Sequence, residues 1–261
     1  MKPKTARNRL NYAKKYGYCL FNGDLTELQL IKRYKRVHAM KALSALSKFL
    51  GVYDEWMRLV KNYGLKWSAK SNDDLIIERL TKTVNPSELF EWIKTVKKAI
   101  PELSAFMDFM VVTGLRFVEA LESYNLIIRL ANEGKLDQYY NAERKVLEHF
   151  RFKELFIRRT KKAFVSFVPH ELVERIAEAK PLTEDIIDKR LRRRGIPAHF
   201  GDLRELHANL LLKNLRQIEV DFLHGRVSTT VFMTNYFNPT WITDIRKRVF
   251  RSIAEIRKQI A

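Results

Sequence analysis

Apolar residues over the first eighty positions recur at helical intervals. From Leu25 to Leu50, Leu28, Ile31, Tyr34, Val37, Leu43, Leu46 and Leu50 fall mostly three or four apart, with Lys32, Arg33, Lys35, Arg36, Lys41 and Lys48 between them. That period puts the apolar side chains on one face of a helix, and the length of the run predicts a break inside it. Ala6–Tyr16 reads as a short basic helix stopped near Gly17, and Asn22-Gly23-Asp24 as a turn. Gly51 ends the long run, and Val52–Tyr63 is a further amphipathic helix around Trp56 and Leu59. Gly64–Asn72 is polar, and Asp73–Leu80 is a short bridging helix, so a domain boundary is expected near residue 80.

The second part opens on a strong helix start. Asn85 suits the cap, Pro86 the first helical position and Glu88 the positive end of the dipole. Ile100-Pro101 marks a break, Glu102–Val112 a strongly apolar helix ending at Thr113-Gly114, and Val118–Leu130 a further helix. Residues 131–150 are polar and carry no clear period. Arg151–Arg159 and Ala163–Val168 are rich in β-formers, and the link Thr160-Lys161-Lys162 makes them a candidate hairpin. Helices are then expected over 170–179, 183–194, 203–214 and 216–223, with a last one over roughly 240–259. The expectation is a mainly α protein with a small β-hairpin or sheet, in two domains, 1–80 and 81–261.

Composition supports a packed chain. Of 261 residues, 46% are hydrophobic, while glycine (9) and proline (7) are sparse, which favours helices over many short strands. Lys and Arg number 49 against 30 Asp and Glu, a net charge of +19. Such an excess repels itself unless a polyanion relieves it, so nucleic acid is the leading partner and an anionic membrane surface the second. A thermophile-type surface rich in Lys, Arg and Glu explains many charges of both signs but not the imbalance. The single cysteine, Cys19, excludes an internal disulfide and a multi-cysteine zinc site, and the six histidines lack metal-ligand spacing. No metal or cofactor is expected. No run reaches the roughly 18 apolar residues of a membrane span, and Met1–Thr5 lacks a signal-peptide stretch, so the expectation is an intracellular, cytoplasmic protein.

Four basic positions and one tyrosine stand out: Arg116, Lys161 (or Lys162), Arg204, Arg226 and Tyr236. Arginines can clamp the non-bridging oxygens of a phosphodiester, a lysine can protonate a leaving oxygen, and a tyrosine can attack phosphorus. That inventory suits metal-free transesterification of a nucleic-acid backbone. Each residue also has a plainer reading. Arg204 lies near the basic run Arg190, Arg192, Arg193 and Arg194 and could belong to a solvated face, although Leu203 and Leu206 argue that its helix packs inward. The two lysines could be turn residues that touch phosphates only. Tyr236 stands beside Phe237 and could be a core aromatic.

The order and spacing of these residues resemble the tyrosine recombinases, the phage-integrase superfamily. Thr113-Gly114-Leu115-Arg116 with Glu119-Ala120-Leu121 is similar to the family's first box, T-G-L-R-x-x-E-L. Leu203-Arg204 with Ala208 and Leu210-Leu211 is similar to the second, L-R-H-x-x-A-x-x-L-L, and Ser228-Thr229-Thr230 resembles the segment before the nucleophile. Departures are present. Gly201 and Glu205 stand where many members carry histidine, and the usual tyrosine offset falls on Met233. Gly225-Arg226 followed by Val231-Phe232-Met233-Thr234-Asn235-Tyr236 resembles the divergent integrases of archaeal fuselloviruses and related plasmids.

The resemblance implies site-specific recombination of double-stranded DNA through a 3′-phosphotyrosine, in the integration and excision of a viral or plasmid genome. Arg116 and Arg204 would bind the phosphate, Lys161 rather than Lys162 would protonate the 5′ oxygen, and Arg226, with His224 as the alternative, would fill the third-box role. Tyr236 would be the nucleophile. Residues 1–80 would be a core-binding domain that clamps DNA, with Lys32, Arg33, Lys35, Arg36, Lys41 and Lys48 as phosphate contacts. A tetramer on DNA, monomeric or dimeric when free, is implied, with the C-terminal stripe docked on a neighbour or on its own domain. A type IB topoisomerase and a non-catalytic DNA-binding member are the alternatives.

Overall fold

The computed structural model describes residues 3–67, 71–81, 85–158, 161–227, 235–239 and 242–260. The chain divides into two compact units, residues 1–83 and 84–261.

The first unit contains α1 (Pro3–Tyr16), α2 (Cys19–Asn22), α3 (Thr26–Leu30), α4 (Arg33–Leu50), α5 (Tyr53–Asn62) and α6 (Asn72–Thr81). The break expected in the long apolar run falls at Ile31, whose extended backbone separates α3 from α4. Arg36 holds this joint, with Nη2 donating to Gln29 O at 2.7 Å and Ile31 O at 3.3 Å. Gly51 ends α4 in the left-handed region, at φ 76°, where a β-carbon would be strained. Tyr16, Cys19, Leu25, Leu28, Met40, Leu43 and Trp56 form the core. Lys32, Arg33, Lys35, Lys41 and Lys48 are exposed, while Arg36 is half-buried.

The second unit begins with α7 (Pro86–Ala99), capped by Asn85, whose Oδ1 accepts from Ser87 N at 3.1 Å. A 3₁₀ turn at Pro101–Leu103 leads into α8 (Ser104–Thr113). Every residue of α8 from Ala105 to Thr113 is buried, as a helix apolar on nearly all sides requires, and its one charged residue, Asp108, is paired with Lys97 and Arg175. Around it pack α7, α9 (Phe117–Asn132), α11 (His170–Ala177), α13 (Phe200–Leu211) and α15 (Ile245–Ile260). The remaining helices are α10 (Lys153–Phe156), α12 (Glu184–Arg193) and α14 (Gln217–Leu223). A small antiparallel sheet, ordered β1-β2-β3, joins β1 (Tyr140–Asn141), β2 (Val146–Leu147) and β3 (Ser166–Phe167). Its register pairs Tyr140 with Leu147 and Leu147 with Ser166. The architecture is mainly α with a small sheet, as expected.

The expected hairpin is corrected. Of the run Arg151–Arg159, the described residues 151–158 do not form a strand: a 3₁₀ turn covers His149–Arg151 and α10 follows. Phe152, Leu155 and Phe156 stand at i, i+3 and i+4, and that helical spacing buries Phe156 against Tyr139 and His149. Of the second run only Ser166–Phe167 is a strand, and its partner is β2. One isolated bridge, Ile157 with Lys162, is what remains of the hairpin among the described residues.

A buried polar chain fastens this sheet to α9. Ser123 Oγ lies 2.8 Å from Tyr139 OH, which lies 2.6 Å from His149 Nδ1, and His149 Nε2 lies 2.8 Å from Ser166 Oγ. The last helix starts at Ile245 rather than near 240, and its stripe of Ile245, Val249, Ile253, Ile256 and Ile260 is buried in the core of its own unit. Among the described residues no helix is long and apolar enough to cross a membrane.

Candidate active site

Three backbone junctions of the second unit converge. The first follows α8, where Gly114 takes φ 58° and turns the chain into α9. A β-carbon there would stand 2.2 Å from His207 Nδ1, so the glycine is required by conformation and by space. Leu115 is buried, and Arg116 is the extended N-cap residue of α9. Glu119 at the third helical position accepts from Arg116 N at 3.3 Å and from Arg116 Nη1 at 2.9 and 3.1 Å. Its carboxylate is 1% exposed and also accepts from Arg158 Nη2 at 2.8 Å.

The second junction is the exit of α14. His224 ends the helix, and Gly225 takes φ 62°. Arg226 N returns to Asp221 O at 2.7 Å, and its guanidinium, mostly exposed, is 3.9 Å from Asp221 Oδ1. The third is the turn at Lys161 and Lys162. Arg158 N donates to Lys161 O, and Ala163 N to Phe156 O, each at 3.0 Å. A β-carbon on Gly225 would lie 1.7 Å from Lys162 O. The missing side chain is what lets the lysine turn rest on the Arg226 segment.

Arg204, one turn into α13, ties the first two junctions together. Its Nη1 donates to Gly114 O at 2.7 Å and its Nη2 to His224 O at 2.5 Å. Burial first, then the charges of Arg116 and Arg226 opposed by Glu119, push its pKa down to about 10. The guanidinium stays charged at neutral pH, and Arg116, Arg204 and Arg226 share one electrostatic neighbourhood.

Beneath Arg204 lies a pair of histidines. His207 Nε2 is 3.1 Å from Val112 O, which can only accept, so this nitrogen carries the proton. His207 Nδ1 is then the acceptor for His224 Nε2–H at 2.8 Å. His224 Nδ1 is left as a buried lone pair without a partner among the described residues. Burial and the Arg204 charge hold His207 down at about 4. Burial, His207 and the nearby arginines hold His224 down at about 2. The His224 ring is turned inward, and its backbone carbonyl, not its imidazole, meets Arg204.

Lys161 is exposed and Lys162 half-buried. Tyr236 is 71% exposed, and among the described residues no hydrogen bond joins it to the arginines. Its neighbour Phe237 lies 5.6 Å from the Phe222 ring of α14, which stacks on Phe164 at 5.9 Å. Ser228-Thr229-Thr230 and Val231–Thr234 lie outside the described residues. The structure thus brings Arg116, Arg204, Arg226 and the Lys161 turn together, and leaves Tyr236 solvent-facing.

Sequence reading overlooked Arg158 and gave His207 no role. Arg158 is one basic residue among many, and only its contact with Glu119 distinguishes it. His207 misses the family spacing, and its partner is 17 residues away. Among the described residues no cluster of three histidine, cysteine, aspartate or glutamate side chains is placed to hold a metal ion.

Residues 81–253 match the family model described as archaeal phage integrase, a span that includes all three junctions and Tyr236. Among curated proteins and among solved structures, nothing matches the chain. With the match running over most of its length, the chain belongs to the archaeal phage integrase family, whose business is DNA recombination.

Proposed function

We propose that the second unit cuts and rejoins DNA through a covalent tyrosine intermediate, in the site-specific integration or excision of a viral or plasmid genome. Tyr236 Oη attacks phosphorus and its proton passes to water. The bond from phosphorus to O5′ breaks, and O5′ takes a proton from Lys161 Nζ. The product is a 3′-phosphotyrosine and a free 5′ hydroxyl. The ester bond is conserved, so a new 5′ end can reverse the step without ATP.

One observation carries this reading. A single guanidinium, that of Arg204, bonds the backbone two residues before Arg116 and two residues before Arg226. Three fixed cations so close together repel one another and favour an anion between them. A phosphodiester whose oxygens gain charge in the transition state meets that demand. Planar guanidinium forks match its oxygens in a way a lysine cannot. Arg226 takes the third-box role in this reading, because its guanidinium faces outward while the His224 imidazole is committed to His207. Tyr236 reaches the phosphate by movement of its segment or from a second copy. In the first unit, the exposed Lys32, Arg33, Lys35, Lys41 and Lys48 contact phosphates, whereas Arg36 serves the α3–α4 joint. Assembly of four copies on two duplexes draws no support from α15, whose stripe is covered within its own unit.

The test is a nicked duplex carrying the attachment site, which traps the cleaved strand by loss of the short 5′ fragment. A denaturant-resistant protein–DNA adduct is expected from the wild type and not from Tyr236→Phe. An adduct that persists in Tyr236→Phe would assign the nucleophile elsewhere. Absence of any adduct would leave a DNA-binding member without strand cleavage. Relaxation of supercoils by one copy, without exchange between duplexes, would favour the topoisomerase alternative.

A further inference from the structure

The turn that carries Lys161 is tethered at a distance. Arg158 closes it, with its backbone N–H on Lys161 O at 3.0 Å. The Arg158 side chain then leaves the turn and reaches Glu119 Oε1 at 2.8 Å. The same oxygen takes Arg116 Nη1 at 2.9 Å. One buried carboxylate therefore joins the lysine turn to the first arginine. Among the described residues Arg158 Nε is buried with no partner, and the side-chain hydrogen bond of this guanidinium is the one to Glu119.

We propose that Arg158 is a positioning residue, which holds the Lys161 turn in register with Arg116 through their shared carboxylate, Glu119. Proton donor and phosphate clamp then reach one phosphodiester together. Arg158 itself touches neither phosphorus nor the leaving oxygen. The inference rests on the transesterification reading given above.

The chemistry supplies a selective test. When the bridging O5′ is replaced by sulfur, the leaving group is a thiolate whose conjugate acid has a pKa of about 8.5, far below that of an alcohol. It departs without a proton donor, so defects that act through Lys161 vanish on the sulfur substrate. Defects in binding the phosphate or in folding persist. The whole chain is assayed on matched oxygen and sulfur nicked duplexes, and the rate of adduct formation is read.

General acid catalysis contributes about 100- to 10,000-fold. Lys161→Ala should lose a factor of that order on oxygen and little on sulfur. Arg158→Ala should show the same pattern with a smaller loss, roughly 10- to 100-fold on oxygen. Arg158→Lys, which keeps a charge on Glu119 but not the fork, should fall between wild type and Arg158→Ala and also recover on sulfur. If Arg158→Ala and Arg158→Lys are slowed equally on both substrates, or not slowed at all, the positioning role is overturned. A wild type that forms no adduct on either substrate overturns the transesterification reading, and the inference falls with it.

Discussion

Replacing Gly114 by alanine separates two costs that one residue imposes. The backbone stands at φ 58°, and holding a residue with a β-carbon there costs about 1–2 kcal/mol. The added carbon would also stand 2.2 Å from His207 Nδ1 and 2.5 Å from its Cγ. Carbon contacts relax at about 3.5–4.0 Å, so the ring must move by more than ~1 Å. That displacement breaks its bonds to Val112 O and His224. Leaving a buried polar group unpaired costs about 1–3 kcal/mol. Together, Gly114→Ala should destabilise the second unit by about 2–5 kcal/mol.

Gly134 is the matched control. Its φ is 67° and a β-carbon there would meet nothing within 4 Å. Gly134→Ala should cost only the conformational part, about 1–2 kcal/mol. Urea titration of the two variants, followed on the transition that Gly134→Ala shifts, gives the histidine contribution by difference. Equal losses from the two substitutions would refute the claim that His207 fills the space above Gly114.

Further outcomes follow from the same interior. His149, His207 and His224 have folded pKa values pushed down by burial to about 3, 4 and 2. The unfolded chain takes up their protons below about 6.5 while the folded chain does not, so stability is unaffected above that pH and falls as pH drops towards 4. Each histidine adds about 1.4 kcal/mol per pH unit to this slope. His149→Asn should reduce the slope by roughly one such increment, measured by urea titrations between pH 5 and 7; an unchanged slope would contradict its neutral burial. Arg248 donates to both oxygens of Glu219, at 2.7 and 2.6 Å, and Glu219 is 1% exposed. Arg248→Ala should cost about 3–5 kcal/mol at neutral pH, and a loss under ~1 kcal/mol would show that water or Arg216 takes over. The pairing holds the Glu219 pKa down, so its contribution is present above the unfolded carboxylate value and lost as pH falls through the folded one. For DNA binding by the first unit, Lys35→Ala and Lys41→Ala should each flatten the slope of log affinity against log salt by about 0.9. Arg36→Ala should instead lower stability, and a salt slope altered only by Arg36→Ala would reverse that assignment.

Local chemistry made much of the fold readable from residue order. Helical period, the Asn85-Pro86 start, the Gly51 stop and the apolar run of α8 each act through near neighbours, and the structure agrees with them. The failure at Arg151–Arg159 has the same kind of cause. β-forming side chains dominate the composition there, yet Phe152, Leu155 and Phe156 share a helical face that Tyr139 and His149 can cover. Tertiary packing outweighed propensity. The pairing of β3 with β2 was hidden for a similar reason, since the partner lies in the polar stretch 131–150 whose pattern is too short to read.

Residue order alone thus established a basic, mainly helical protein whose arginines and lysines resemble in order and spacing those of an integrase, with the tyrosine displaced from the usual offset. Spacing does not tell which side chains share a buried partner. Only the folded chain brought Gly114 and Gly225 against groups that forbid a β-carbon, joined two distant junctions through Arg204, and set Arg158 beside Arg116 on Glu119. These relations link residues up to about ninety positions apart, and they exist because packing excludes water and forces each buried charge and carbonyl to find its partner within the protein.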